Sequence, residues 1–325
     1  MNEPLAWCND RFMPLAEAGL PWIDAGFVYG AVIVDNARTF RRQLFLWPQH
    51  LERLRRHCRL CNILLPYDDS YLTQIARALL EHNGRLLASH EEMQVVTFVT
   101  PGRLGLFQGT SDTGPPTVGM MTYPLPRHRY RRFFTEGVTL EIVGQQHYEP
   151  DDLLPPVIKH RSRLVWYIAE QRRRCSAAVP VVVNSDGVGD TAIGTIVAIT
   201  GSTLLLPPQD WVLESISVQF LRQICPLAGL AVQEAVVDLR LLLGTKPGYP
   251  PSASIHSPVM STDPPHGAEI DELLLVGTAF CLAGVRRLLG PCGERIFPWP
   301  GPAYQRLLNA WEEHINVPIV RFFTT

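Results

Sequence analysis

Lysine is nearly absent from this chain. Among its 29 lysine and arginine residues, only Lys159 and Lys246 are lysines. Arginine stays protonated and cannot act as an amine nucleophile, whereas a desolvated lysine amine can lose its proton and form an imine. A lysine kept in so arginine-rich a chain is therefore a candidate for chemistry that arginine cannot perform. Long apolar runs are missing too. None approaches the roughly 18–20 residues that a membrane helix needs, and Met1–Glu17 lacks the charged start and apolar block of a secretory signal. There is no G-x-G-x-x-G before a helix, no Walker loop, no H-E-x-x-H and no G-x-S-x-G, which argues against nucleotide, zinc-protease and hydrolase readings. A net charge of −2 gives no reason to expect a nucleic-acid partner or an anionic membrane. The seven cysteines are odd in number and lack disulfide-framework spacing, so a reducing cytoplasm is expected. Cys58 and Cys61 form a C-x-x-C, but they fall in a helical pattern with no second pair at zinc spacing, and no metal site is expected.

What is present is globular: 46% hydrophobic and 18% charged residues over 325 positions, enough for two domains. Residues 20–47 read as extended, Pro48–Asn62 and Ser70–Asn83 as helices, and Met93–Val99 as a strand. Beyond Gly114-Pro115-Pro116, strands are expected at Thr117–Tyr123, Val138–Val143, Val179–Val183, Thr195–Ile199, Ser202–Leu206, Ala231–Val237 and Glu272–Gly277. Helices are expected at Arg161–Arg174, Ile216–Cys225 and Ala303–His314. This alternation predicts an α+β chain with a small N-terminal α/β domain (1–120) and a larger mixed, barrel-like domain (121–325). Residues 244–268 are rich in Pro, Gly and Ser and read as an inserted loop. Lys246 lies in that loop, where an amine keeps its ordinary pKa. Lys159 instead follows the apolar Leu153, Leu154, Val157 and Ile158, so position favours Lys159 as the reactive amine.

Several segments, taken in order, resemble the class IV (fold-type IV) family of pyridoxal-phosphate aminotransferases and lyases. Ala6–Asn9 and Ile23–Gly30 look like its opening hairpin, and Val34-Asp35-Asn36-Ala37-Arg38 sits where the family has F-E-x-x-R. His50-Leu51-Glu52-Arg53-Leu54 is similar to H-x-x-R-L, whose arginine holds the cofactor phosphate, so the resemblance assigns that role to Arg53. Pro155–His160 resembles the segment around the Schiff-base lysine, which makes Lys159 that residue. Asp186–Ile196 is similar to D-G-x-x-E-x-x-x-x-N-I, with Asp190 in place of the Glu that faces the pyridine nitrogen and Thr195 in place of the Asn. Leu213–Val218 stands where the family has L-x-G-I-T-R, implying that the backbone N–H groups of Ile216 and Ser217 hold phosphate; Val218 lacks the arginine. Ile270–Ala279 resembles D-E-x-F-x-x-x-T-A, and Thr278 inherits a phosphate contact. Tyr29, Arg38 and Arg103 are the candidate substrate residues; Pro101 fills the slot where D-amino-acid enzymes carry an arginine.

The resemblance implies a two-domain fold-type IV enzyme, pyridoxal 5'-phosphate on Lys159, small amino-acid and keto-acid substrates, and a homodimer. The reaction expected is transamination between a branched-chain-like amino acid and a 2-keto acid. Two alternatives stand beside it. Lys159-His160-x-x-Arg163-Leu164 resembles aminodeoxychorismate lyases, which release p-aminobenzoate and pyruvate. The departures at Pro101, Asp190, Thr195 and Val218 also fit a protein that binds the cofactor with weak turnover.

Overall fold

The structure is a computed structural model that describes residues 3–146, 153–184, 187–237, 242–243, 269–291 and 293–325. The loop expected at 244–268 lies outside the described residues. The chain forms two compact units. One is Met1–Pro126 together with Ile158–Arg163, and the other is Arg127–Val157 together with Leu164–Thr325.

The first unit holds a six-stranded antiparallel sheet of β1 (Leu5–Cys8), β2 (Arg11–Pro14), β3 (Ile33–Phe40), β4 (Gln43–Leu44), β5 (Met93–Thr100) and β6 (Thr117–Pro124). Their order is β2-β1-β6-β5-β3-β4. Val and Thr dominate β5, as suits a strand covered on both faces. The stretch expected to be extended from residue 20 contains a single helical turn, α1 (Ala25–Val28). Asp24 causes it: its buried carboxylate caps the turn by accepting the Gly26 N–H at 2.7 Å, and also accepts the Thr117 hydroxyl at 2.8 Å. The β3–β4 turn passes through Arg41 (φ 51°) and Arg42 (φ 62°) without glycine. Glu92 compensates, accepting the Arg41 N–H at 2.6 Å and the Arg42 N–H at 3.2 Å.

Two helices cover this sheet. α2 (Trp47–Leu60) packs on β3, and α3 (Asp69–Gly84) on β1, β5 and β6. Pro48 opens α2 in the first turn, where its missing N–H costs nothing. Leu54 on α2 and Leu72 and Leu79 on α3 are fully buried, each stabilising by about 1.5–3 kcal/mol. Asp68 caps α3 by accepting the Tyr71 N–H at 2.7 Å.

Residues 161–163, expected to begin a helix, are not helical. The Arg161 N–H donates to Val32 at 2.9 Å, the Val34 N–H donates to Lys159 at 3.0 Å, and Ile33 forms an antiparallel bridge with His160. Pairing with the first unit's strand overrides the local helical pattern, and the helix starts only at Leu164.

The second unit begins with α4 (Arg127–Thr135), which carries four arginines and was not expected. Its Tyr130, Phe133 and Phe134 recur at helical spacing and are buried. Among the described residues eight strands follow: β7 (Val138–Gln145), β8 (Val179–Val183), β9 (Thr195–Thr200), β10 (Thr203–Leu206), β11 (Ala231–Glu234), β12 (Glu272–Gly277), β13 (Cys281–Gly290) and β14 (Gly293–Ile296). The order is β11-β10-β9-β12-β13-β7-β8, with β14 paired to β13. β10–β11, β13–β7 and β7–β8 are parallel and the other pairs antiparallel, so the sheet is mixed as expected. The helices are α5 (Leu164–Arg172), α6 (Ile216–Ile224), α7 (Pro302–Ile315) and α8 (Ile319–Thr324). Buried Glu272 on β12 anchors α7 by accepting the Ala303 N–H at 2.8 Å and the Tyr304 N–H at 2.9 Å. No helix among the described residues is long and apolar enough to cross a membrane.

Candidate active site

One face of α2 carries His50, Arg53 and His57, at positions i, i+3 and i+7, and all three are buried. Asp35 of β3 meets the first two. One carboxylate oxygen lies 2.6 Å from His50 Nδ1, and the other accepts Arg53 Nε–H at 2.8 Å. Burial works against the Asp35 anion. The guanidinium of Arg53 and the imidazole of His50 outweigh it and hold the carboxyl well below the usual range. His50 is pushed down by burial, so it is a neutral ring that donates from Nδ1 to Asp35.

Lys159 sits beside this cluster with both backbone groups engaged. Its N–H donates to His57 Nδ1 at 3.1 Å, and its carbonyl accepts the Val34 N–H. Its amine is pushed down to about 7, first by desolvation and then by the Arg53 cation, with Arg163 and Arg161 adding to the effect and Asp35 opposing it. Gly30 also touches the segment: with φ 65°, open to glycine, its carbonyl accepts the Ser162 hydroxyl at 2.7 Å.

The sequence-derived candidates divide by position. Lys159 and Arg53 are brought into one charged cluster. Arg38 is buried farther along β3, four residues or roughly 13 Å from Val34, with its guanidinium over the Phe40 ring at 4.0 Å. Tyr29 and Arg103 are exposed. In the second unit, Asp190 accepts the Thr195 hydroxyl at 2.6 Å and the Leu213 N–H at 2.7 Å, which ties it to the chain entering α6. Ile216 and Ser217 are the first two residues of α6, capped by Ser215, whose hydroxyl accepts the Val218 N–H at 3.3 Å. Among the described residues neither of their N–H groups has a protein acceptor, as helix geometry requires. Thr278 is half-buried just past the end of β12. Cys58 is buried with its thiol pushed up to about 12 by desolvation, a setting for packing and not for redox chemistry.

Asp35, His50 and His57 received no role from the sequence. The available signal was three basic or imidazole side chains at i, i+3 and i+7 among the apolar Leu51, Leu54 and Cys58. Such a pattern calls for a buried counter-charge.

Within the first unit, Lys159 and Arg53 fit an aldehyde that carries a phosphate: they offer an amine pushed down to about 7 and a buried guanidinium.

The pattern of the family described as amino-transferase class IV matches residues 33–288. No curated protein matches the chain by sequence. Among solved structures, Escherichia coli branched-chain amino acid aminotransferase superposes with a TM-score of 0.75 at 15% identity, covering 96% of this chain and 94% of that one. A hypothetical aminotransferase from Mycobacterium tuberculosis, in its alpha-ketoglutarate and PMP bound form, gives 0.72 at 18%, covering 94% and 98%. The 4-amino-4-deoxychorismate lyase of Pseudomonas aeruginosa gives 0.71 at 19%, covering 95% and 98%. At these identities the likeness shows a common fold, while the family pattern spans most of the chain. The chain is a member of the class IV aminotransferase family, whose enzymes use pyridoxal phosphate.

Proposed function

We propose that the protein is a pyridoxal-phosphate aminotransferase that moves an amino group between a branched-chain-like amino acid and a 2-keto acid, with Lys159 as its reactive amine. The carrying observation is the Lys159 amine, pushed down to about 7 beside buried Arg53. At pH 7 about half of such an amine is neutral, against roughly one part in three thousand for an ordinary lysine. When bound, the cofactor supplies an aldehyde for imine formation and a ring that withdraws electrons from the substrate's α-carbon. Lys159 would hold the cofactor at its aldehyde, and its Nζ, once free, would accept the α-proton of the substrate. Arg53 is assigned to the phosphate, with its fork held by Asp35. The family motifs assign Ile216, Ser217 and Thr278 to the same phosphate and Asp190 to the ring nitrogen. Asp190 is one methylene shorter than the family's Glu, and the Thr195 hydroxyl and Leu213 N–H hold it in a single orientation.

Borohydride reduction of the purified protein, followed by peptide mapping, tests the assignment. A phosphopyridoxyl group on Lys159 supports it; one on Lys246, or none, refutes it. Lys159→Ala should abolish the visible absorbance of the bound cofactor. Half-reactions with leucine, glutamate and alanine should then identify the amino donor.

A second reading, aminodeoxychorismate lyase, is favoured by Lys159-His160-x-x-Arg163-Leu164. Release of p-aminobenzoate without a keto-acid co-substrate would establish it. We also propose a homodimer in a reducing cytoplasm. Trp22, Phe27 and Tyr29 are exposed on a segment hydrogen-bonded to the one carrying exposed Leu106 and Phe107, an apolar surface that a second copy could cover. No disulfide links the described cysteines. Light scattering at twice the chain mass, 36.5 kDa, tests the dimer.

A further inference from the structure

His57 is 1% exposed, yet neither motif nor resemblance gives it a task. It lies one helical turn beyond Arg53, on the same face of α2. Its Nδ1 accepts the Lys159 backbone N–H at 3.1 Å, across 102 residues of sequence. The ring therefore carries its proton on Nε2 and is neutral, and burial followed by the Arg53 cation pushes its pKa down to about 3. The bond thus keeps the same polarity at neutral pH and well below it. On the other side, the Val34 N–H holds the Lys159 carbonyl. The lysine backbone is consequently fixed between α2 and β3, the same two elements that fix Arg53 through Asp35.

We propose that His57 is a positioning residue: by accepting the Lys159 N–H it holds the reactive lysine in register with Arg53, so that α2 sets the spacing between the amine and the phosphate grip. This rests on the assignment of Lys159 as the cofactor lysine. The groups acting on the amine are Arg53, His50 and His57 of α2, Asp35 of β3, and His160, Arg161 and Arg163 of its own segment. Removing the acceptor leaves a part-buried N–H without its partner and frees the segment to take the amine toward water. Removing a remote structural contact would do neither.

The chain's two lysines make the test direct. Trace acetylation of the full-length protein freed of cofactor, read by peptide mapping across pH, reports the titration of Lys159 with Lys246 as an internal reference. Wild type should show a Lys159 midpoint near 7. His57→Asn places an amide oxygen near the position of Nδ1 and should keep that midpoint. His57→Leu and His57→Gln, which offer no acceptor there, should move it up to about 8, slowing Lys159 labelling at pH 7 roughly five-fold with Lys246 unchanged. If His57→Leu does not fold, the contrast between Asn and Gln decides. A Lys159 profile identical in wild type and His57→Gln, or shifted as far in His57→Asn as in His57→Gln, overturns the proposal. Borohydride mapping of the cofactor-loaded protein runs in parallel. No label on Lys159 sinks the cofactor assignment and leaves the acetylation comparison standing, whereas an unshifted profile sinks the role of His57 and leaves the assignment standing.

Discussion

Replacing Asp35 with asparagine tests the charged cluster directly. The two side chains have the same shape, so no cavity opens and the change is electrostatic. In the native unit the carboxylate is 3% exposed and meets His50 at 2.6 Å and Arg53 at 2.8 Å, partners that are themselves 2% exposed. Asp35→Asn leaves the guanidinium buried without a counter-charge, and breaking a buried pair in this way costs about 3–5 kcal/mol. For a unit of this size that corresponds to a fall in Tm of roughly 10–15 °C. The pH dependence has a definite sign. The folded Asp35 pKa is depressed, so its stabilisation is fully present above the unfolded carboxyl pKa, near 4, and is lost as pH falls toward the folded value. Thermal unfolding followed by circular dichroism at several pH values should show wild type and Asp35→Asn well separated at pH 8, where the Lys159 amine is largely neutral, and converging below about 4. A gap of only 2–3 °C at pH 8, or one that does not close as pH falls below 4, would refute the argument.

Two further outcomes follow from the second unit. Glu272→Ala removes the acceptor for the first N–H groups of α7 and should cost about 2 kcal/mol or more, because those groups are buried; Glu272→Gln should cost less, and denaturant melts distinguish the two. Thr195→Val deletes the hydroxyl that orients Asp190 and should weaken cofactor binding about five-fold in an absorbance titration, while Thr195→Ser restores it.

What could be read from the sequence was what local chemistry specifies. Helix α2 follows from the spacing of Leu51, Leu54 and Cys58, and β5 and β12 from runs of branched residues. Lys159 stood out because lysine is so rare in this chain. What could not be read depended on partners distant in sequence. Arg161 looks helical until Val32 offers its N–H an acceptor, beside the bond from Val34 to Lys159. α4, not expected from the sequence, packs where Phe280 and Phe323 meet its aromatic side. The spacing of His50, Arg53 and His57 calls for a counter-charge, but nothing periodic names Asp35, 15 and 18 positions away, as its source, or Lys159 as the partner of His57.

The placement of residues 158–163 bears on how such a chain can be cut or recombined. The polypeptide passes from one unit to the other three times, after Pro126, Val157 and Arg163. A fragment ending near residue 126 would therefore lack the strand partner of Val32 and Val34, together with the lysine itself. A chimera that borrows everything after residue 126 from a homologue would import six residues shaped to a foreign partner strand. A viable graft has to transplant those six with the front portion of the gene, so the crossovers fall at three places, after residues 126, 157 and 163, and not at the single seam that the linear sequence suggests.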